Sequence, residues 1–377
     1  MTLAESNSST HAGQAGTPAE RLQVLDAFRA LAISAVVAYH FLWGYAPPSH
    51  VRNLYGYHWV YSHWLSLGSL GVQFFFIISG FVIFMTLERC RSLPEFWFRR
   101  FARLYPAYLC ALFISYLITN RFGPVEFRSG PADLAGGLVL LPPDLIEGTF
   151  IDNAFWSLLV EAQFYLCIGL VYLLAREYFV AAWIALLAIG AACWLSSADA
   201  HGRVLEIVRH PLFLLPHGAH FTAGMAFYEL YRRRRASGFV LLAVSFVLYL
   251  IVAAHSGWPR HAATALMIVA FVLFLAGRLQ WLVCRPLLFL GGISYSLYLI
   301  HQNLGVILIG RLTRLGFPDL LAASVSVATV VGLAFALTTV VEAPAKRRLL
   351  DWARSRTRRG PALLAFTPRH GLPLVRP

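Results

Sequence analysis

Two polar side chains interrupt the first long apolar stretch of the chain, residues 22–43. Arg29 lies near the start of this stretch and His40 near its end. On an ideal helix their spacing is about three turns, which puts the two side chains within roughly 20° of one face and about 16 Å apart along the axis. A guanidinium can hold an anion, and an imidazole can take up a proton near neutral pH. The stretch therefore predicts a helix that presents a cation at one depth and an imidazole at another.

Other apolar stretches carry groups with similar chemistry. Glu161 lies within FWSLLVEAQFYL, and a carboxylate in the middle of a membrane helix is rare without a function. Arg100 and Arg103 lie in FRRFARLYP, just before an apolar run. Because they are three residues apart, they would share a helix face and could hold one phosphate group between them.

Each of these residues also has a purely structural interpretation. Arg29 is equally typical of a cytoplasmic anchor that pairs with Asp26, and an arginine cluster is by default a signal of topology. A lone histidine such as His40 is more often structural than catalytic. Glu161 could be protonated and hydrogen-bonded. The combination of these residues, more than any one of them, indicates a site.

The composition identifies the class of protein that must position these residues. The chain has 377 residues, of which 58% are hydrophobic and 13% charged, which is too apolar for a soluble core. The net charge of +13 comes from basic residues between apolar runs, so it indicates anionic lipid and not nucleic acid. The five cysteines show no metal-ligand spacing. We expect an integral membrane protein without a metal site.

Apolar runs of roughly 17 to 25 residues predict an all-α, polytopic membrane protein with about ten transmembrane helices. A shorter run, Leu134 to Leu141, is predicted to be interfacial or re-entrant. The ten predicted spans are residues 22–44, 66–87, 104–120, 154–175, 178–196, 211–231, 238–255, 261–277, 286–310 and 317–341.

The basic residues predict how these spans are oriented. Of the 31 Lys and Arg residues, 22 lie in one alternate set of connections and 8 in the other, so both termini are expected to be cytoplasmic. Residues 1–20 are predicted to be a disordered polar tail and residues 21–342 a ten-span core. Residues 343–377 are predicted to be a basic cytoplasmic tail that lies on anionic lipid.

With this orientation, several polar residues share the outer half of the membrane. Depth can be estimated from the distance to the end of each span at about 1.5 Å per residue. The residues that fall in this layer, on four different spans, are His40, Gln73, Glu161, Gln163, His301, Gln302 and Asn303. Such a layer predicts a buried polar pocket in the outer half.

Five motifs occur in a fixed order over residues 21–301, and together they resemble the membrane acyltransferase 3 family, whose members O-acylate sugars, lipids and antibiotics. The family's R-x10-H pattern falls on Arg29 and His40, its RxxR pattern on Arg100 and Arg103, and the glutamate of its WSLxxExxFY segment on Glu161. The motifs are RLQVLDAFRALAISAVVAYH, GVQFFFIISGFVIF, FRRFARLYP, WSLLVEAQFYL and SYSLYLIH.

The resemblance implies transfer of an acyl group, most simply acetyl, from acyl-CoA to a hydroxyl of a carbohydrate or glycolipid, in the cytoplasmic membrane of a bacterium. Acyl-CoA would be a co-substrate, and no bound cofactor is expected. The CoA phosphates would meet the arginines at positions 29, 100 and 103. His40 would take the proton of the acceptor, and Glu161 would orient the imidazole. Gln73, His301 and Asn303 would complete the pocket.

Two alternatives stay open at this point. Within the enzyme hypothesis, His40 could itself accept the acyl group and pass it on. In a different class of protein, Arg29, Glu161 and His301 would form the proton and anion path of an ion-coupled transporter. The sequence does not choose among acceptors.

Overall fold

The described part of the chain is built of helices and contains no strand. The structure, a computed structural model, describes residues 18–43, 63–143, 148–195 and 213–357. The α-helices are α1 (Pro18–Leu42), α2 (Gly71–Arg89), α3 (Leu93–Phe122), α4 (Pro131–Leu138), α5 (Trp156–Leu174), α6 (Phe179–Leu195), α7 (Leu215–Tyr231), α8 (Arg235–Ala253), α9 (Trp258–Leu275), α10 (Arg285–Ile300), α11 (Gln302–Arg314), α12 (Asp319–Leu337) and α13 (Ala343–Thr357).

Every predicted span overlaps at least one helix of the described chain, but fewer helices are long and apolar enough to cross a membrane. Seven helical segments of the described chain meet that standard, or eight if the bent pair α10–α11 is one crossing. Helices α6 and α7 have 17 residues each, which is roughly 25 Å against a hydrocarbon core of about 30 Å. The chain is therefore an all-α, multi-pass membrane protein. Ten spans and two cytoplasmic termini stay predictions.

The predicted span 286–310 is not one helix. Its two halves, α10 and α11, meet at His301 with a bend of 75°. The backbone N–H of Asn303 donates to the Asp152 carboxylate at 3.2 Å instead of to a carbonyl of its own helix. A side chain that captures a helical N–H in this way is a recognised cause of a kink. The bend places His301, Gln302 and Asn303 at the break.

Helix α3 begins earlier than predicted. The predicted span started at residue 104, with the arginine cluster just outside it. In the structure the helix begins at Leu93, because the Ser92 side chain accepts the backbone N–H of Glu95 at 3.3 Å and caps the first turn. Arg100 and Arg103 consequently lie on the same helix as the apolar run, and Arg100 is buried.

The last predicted span also continues further than expected. Residues Thr338–Glu342 form a π-helical turn, and the chain then runs on as α13. Helix α13 packs against α3, with the rings of Phe98 and Trp352 5.9 Å apart. The first fifteen residues of the predicted basic tail are therefore helical. Most of the predicted N-terminal tail and residues 358–377 lie outside the described residues.

Two glycines allow α1 to approach α10 and α11 closely. A Cβ atom on Gly291 would lie 2.0 Å from the carbonyl oxygen of Asp26, and one on Gly305 would lie 2.1 Å from the ring of Phe41. Only a residue without a side chain fits at such distances. These contacts set the position of α1, which carries Arg29 and His40, relative to the break at His301.

The short run predicted to be interfacial forms α4 and a turn after it. The Tyr105 and Tyr108 hydroxyls of α3 donate to the carbonyl oxygens of Leu138 and Gly137, each at 2.7 Å. These bonds use carbonyl groups in the last turn of α4, where the carbonyls of a helix lack partners four residues further along the same helix. Helix α4 is therefore fixed against α3.

Candidate active site

A cavity bounded by α1, α2, α3, α5 and α10 brings four of the predicted charged residues together. It contains about 740 Å³ of space, including the open space at its mouth. Its charged lining residues are Arg29, Arg100, Arg103 and Glu161. Its polar lining residues are Ser79, Ser157, Tyr165, Ser294, Tyr295 and Tyr298. The sequence analysis had placed Glu161 at a different depth from the arginines, whereas the structure puts all four in one cavity.

The charge of Arg29 is partly neutralised within α1. Its guanidinium forms an ion pair with Asp26, one turn earlier on the same helix. This is the pairing that the structural interpretation of the sequence proposed. Because Arg29 also lines the cavity, the pairing does not remove it from the site.

Arg100 is a buried cation that forms no ion pair within the described part of the chain. The residue is 8% exposed, and its guanidinium carbon lies 5.9 Å from the ring centroids of both Phe96 and Tyr165. Its Nε has no hydrogen-bond partner. Among the described residues, neither Arg100 nor Arg103 forms an ion pair. Burying a charge without a counter-charge is costly, so this end of the cavity is suited to an anionic ligand.

Glu161 is held by α2. Its carboxylate accepts a hydrogen bond from the Ser79 hydroxyl at 2.8 Å, and its charge attracts that of Arg100. Glu161 was predicted to orient the imidazole of His40, but in the structure it interacts with Ser79 and Arg100. Glu161 lies with the arginines, and the imidazole of His40 is held by other residues.

His40 is in contact with His301. The distance from His40 Nδ1 to His301 Nε2 is 3.0 Å, and His40 Nδ1 is also 3.0 Å from the carbonyl oxygen of Val36. On the other side, His301 Nδ1 lies 2.8 Å from the carbonyl oxygen of Tyr298. His301 is fully buried. The sequence analysis placed the two histidines at a common depth, and in the structure their rings are in direct contact.

One aromatic side chain connects the histidine pair to the cavity. Tyr298 lines the cavity, and its ring centroid is 5.6 Å from that of His301. The Tyr298 hydroxyl accepts from Ser157 at 2.8 Å and donates to the carbonyl oxygen of Ala154 at 3.0 Å. His40 and His301 are not among the residues that line the cavity. The residues of the predicted outer pocket are thus divided between two adjoining sites, with Glu161 beside the arginines and the two histidines in contact with each other.

The remaining predicted pocket residues lie outside the cavity lining. The Asn303 side chain donates to the carbonyl oxygen of Ile151 at 2.8 Å. Together with the Asp152 contact at the helix break, this bond ties the start of α11 to the segment before α5. Burial raises the pKa of the Asp152 carboxyl to about 7. Gln73 has a buried Oε1 that finds no hydrogen-bond partner within the described residues. Asn303 therefore has a structural contact, and no contact assigns a role to Gln73.

The sequence analysis missed several residues near the arginines. The Ser296 hydroxyl donates to Glu342 in the π-helical turn at 2.8 Å. Lys346, one turn further along, interacts electrostatically with Arg103 and Arg100. The spacing of the polar residues in SYSLYLIH could have identified the face of α10 that lines the cavity. Nothing in the sequence predicts that α13 returns to α3, so Lys346 could not have been found.

The family can now be assigned. A sequence model of an acyltransferase domain matches residues 22–341. The chain belongs to the membrane acyltransferase 3 family. The match includes Arg29, His40, Arg100, Glu161 and His301, whereas Glu342 and Lys346 lie just beyond it.

Named relatives match shorter parts of the chain. Acyltransferase MdmB of Streptomyces mycarofaciens is 37% identical over 127 residues, 30% of this chain and 31% of that protein. O-acetyltransferase OatA of Staphylococcus aureus is 31% identical over 163 residues, covering 39% of this chain and 24% of that protein. Peptidoglycan O-acetyltransferase OatA of Listeria monocytogenes is 28% identical over 159 residues, 38% of this chain and 22% of that protein. The matched segments cover less than a third of each relative. No solved structure matches the chain.

Proposed function

We propose that the protein transfers an acyl group, with acetyl as the first candidate, from cytoplasmic acyl-CoA to a hydroxyl of a carbohydrate or glycolipid. The observation that carries this proposal is the pair of adjoining sites. One is a cavity that holds the buried Arg100, which forms no ion pair among the described residues, and the other is a pair of histidines in contact. Membership of an acyltransferase family supports the reaction class.

The arginine cavity is the proposed donor site. Coenzyme A is a polyanion, and its phosphates would bind Arg29, Arg100 and Arg103, with Lys346 adding positive charge. Its thioester lies at the end of a long, thin arm. The distance of about 16 Å along α1 from Arg29 to His40 is within reach of such an arm. Glu161 would limit the repulsion among the arginines while no donor is bound.

The histidine pair is the proposed site of proton transfer. His40 would take the proton from the acceptor hydroxyl while the hydroxyl oxygen attacks the thioester carbonyl carbon. The new C–O bond forms as the C–S bond breaks, and the proton passes to the departing CoA thiolate. Holding both substrates in place would supply several kcal/mol of the barrier, since positioning can contribute about 7–11 kcal/mol at most.

The acceptor class is proposed from the relatives. Two of them are named O-acetyltransferases, and one is named for peptidoglycan. A carbohydrate polymer or glycolipid at the outer face of the bacterial cytoplasmic membrane suits an outward-lying histidine pair. This placement uses the orientation with cytoplasmic termini, in which 22 of the 31 Lys and Arg residues lie in the inner connections.

The test compares the full chain with two histidine variants, each purified in lipid nanodiscs. We expect His40→Ala to abolish acetyl transfer from labelled acetyl-CoA to cell-envelope glycans, detected by mass spectrometry, while CoA binding is retained. His255→Ala is the matched control, because His255 is an exposed residue just after α8 and should leave transfer unchanged. Transfer by the His40→Ala protein at the wild-type rate would contradict the proposal.

A rapid-quench experiment separates direct transfer from an acyl-enzyme. If label appears on the protein after acetyl-CoA is added without acceptor, the reaction passes through a covalent acyl-enzyme intermediate. No label on the protein would favour direct transfer with His40 as the base.

One observation keeps transport as a second candidate function. The helix break at His301 is of the kind that transporters use at their binding sites. Substrate flux across proteoliposomes that survives His40→Ala, with no acyl transfer in the wild type, would support transport and refute the enzyme proposal.

A further inference from the structure

We propose that His301 is a positioning residue for His40. Its Nε2 accepts a hydrogen bond from the Nδ1–H of His40, so that the basic lone pair of the His40 ring is on Nε2. This inference rests on the proposed function, in which His40 is the general base. It concerns the contact between the two rings, a feature that neither the motifs nor the names of the relatives describe.

The tautomers follow from the partners of the two rings. A carbonyl oxygen can only accept a hydrogen bond. His301 Nδ1, 2.8 Å from the carbonyl oxygen of Tyr298, must therefore carry a proton, and the Nε2 of the neutral ring is then an acceptor. His40 Nδ1 lies 3.0 Å both from that Nε2 and from the carbonyl oxygen of Val36. Both partners accept, so the proton of neutral His40 is on Nδ1 and its lone pair is on Nε2.

The structure also holds His301 in this orientation. The residue is fully buried and lies at the break between α10 and α11. There the Asp152 carboxylate accepts a hydrogen bond from the backbone N–H of Asn303. Close contact between Gly305 and Phe41 fixes the start of α11 against the end of α1. The ring of His301 therefore has little freedom to turn away from His40.

The contact would strengthen when His40 is protonated. An imidazolium Nδ1–H donates a charge-assisted hydrogen bond, which is stronger than a neutral one. In a Ser-His-Asp triad an aspartate fixes the tautomer of the histidine in the same way, and loss of the correct tautomer there lowers kcat by about 10⁴-fold. A neutral imidazole fulfils this role without a second buried charge, which is costly in a membrane. Among the described residues, the titratable groups seen in contact with the His301 ring are His40 on α1 and Tyr298 on α10.

Three variants of the full chain in nanodiscs test the inference. Glutamine can place its side-chain oxygen near the position of Nε2, whereas asparagine is too short to reach His40, and leucine cannot accept a hydrogen bond. We expect His301→Gln to keep kcat within about tenfold of the wild type, and His301→Asn and His301→Leu to lower it by about 10²–10⁴-fold. The KM for acetyl-CoA should stay within about twofold in all three, because the arginine cavity is a separate site. His255→Leu is the control for loss of a histidine.

The outcomes separate this inference from the proposed function. Wild-type kcat in His301→Leu, or equal losses in the Gln and Asn variants, would overturn the positioning role even if His40→Ala is inactive. An active His40→Ala protein would refute the proposed function itself. If the leucine variant does not bind CoA, it is misfolded, and the comparison of the two amide variants decides the question.

Discussion

Replacing Arg100 by methionine shows whether its charge serves to bind a ligand or to stabilise the fold. We expect the Arg100→Met protein to bind CoA more weakly, yet to be no less stable than the wild type when no ligand is present. Methionine keeps a flexible apolar side chain against the rings of Phe96 and Tyr165 and removes the charge together with the N–H donors. The two effects have opposite signs, which is what makes the variant informative.

The magnitudes follow from the surroundings of Arg100. A hydrogen bond to a charged group contributes about 1.5–3 kcal/mol, and about 1.4 kcal/mol corresponds to a tenfold change in affinity. Loss of one phosphate contact should therefore weaken CoA binding by about 10- to 150-fold. Without ligand, the buried cation has two ring contacts, which contribute about 0.5–2 kcal/mol each, and the attraction of the Glu161 charge. These oppose a desolvation penalty of several kcal/mol. The thermal midpoint without ligand should be unchanged or higher.

The assay is calorimetric titration of CoA into the full chain in nanodiscs, with thermal unfolding measured with and without CoA. Arg99→Met is the matched control, because Arg99 is on the same helix, is 40% exposed and already forms an ion pair with Glu95. We expect this variant to bind CoA as the wild type does. Titration with dephospho-CoA then shows whether the lost contact was to the 3′-phosphate.

Two results would refute the reasoning about Arg100. Wild-type CoA affinity in Arg100→Met would show that the buried guanidinium does not contact the donor. A large fall in the thermal midpoint without ligand would show that the cation stabilises the fold, and any loss of affinity would then be indirect.

Two further predictions concern the packing of α1 and the last helix. Gly291→Ala should lower the thermal midpoint by several degrees, since an added Cβ would lie 2.0 Å from a carbonyl oxygen of α1. Gly292→Ala should leave the midpoint unchanged or raise it, because no described residue lies within 4 Å of its Cβ position and alanine favours a helix over glycine. Equal midpoints would contradict the packing argument. Lys346→Ala should raise the KM for acetyl-CoA about tenfold or less with kcat unchanged, as expected for an exposed charge, and Arg354→Ala on the same helix is the control. An unchanged KM at low salt would exclude Lys346 from the donor site.

The sequence was most informative about depth along each helix. Apolar runs of sufficient length predicted where the helices lie, because a membrane helix must hide its backbone polar groups along its whole length. Counting residues from the ends of the predicted spans placed His40 and His301 in one layer, and the two rings are in contact. The spacing of Arg100 and Arg103 predicted a shared face, and both line the same cavity.

The direction in which each side chain points could not be derived in the same way. Glu161 was placed near His40 from its depth alone, but the side that α5 presents depends on how the helices pack together. The bend at His301 depends on Asp152, about 150 residues earlier in the sequence. Long-range contacts of this kind leave no local pattern, so the helix break and the approach of Lys346 could not be predicted.

The position of α1 links the two adjoining sites. Arg29 faces the cavity and His40 faces His301, and the helix between them is continuous from Pro18 to Leu42. Gly291 fixes one end of α1 against α10, and Gly305 fixes the other end against α11. Because a helix has a nearly constant rise per residue, these two contacts hold the guanidinium and the imidazole at a set separation. A donor bound by its phosphates at one end would thus present its thioester at a height that the backbone of α1 determines.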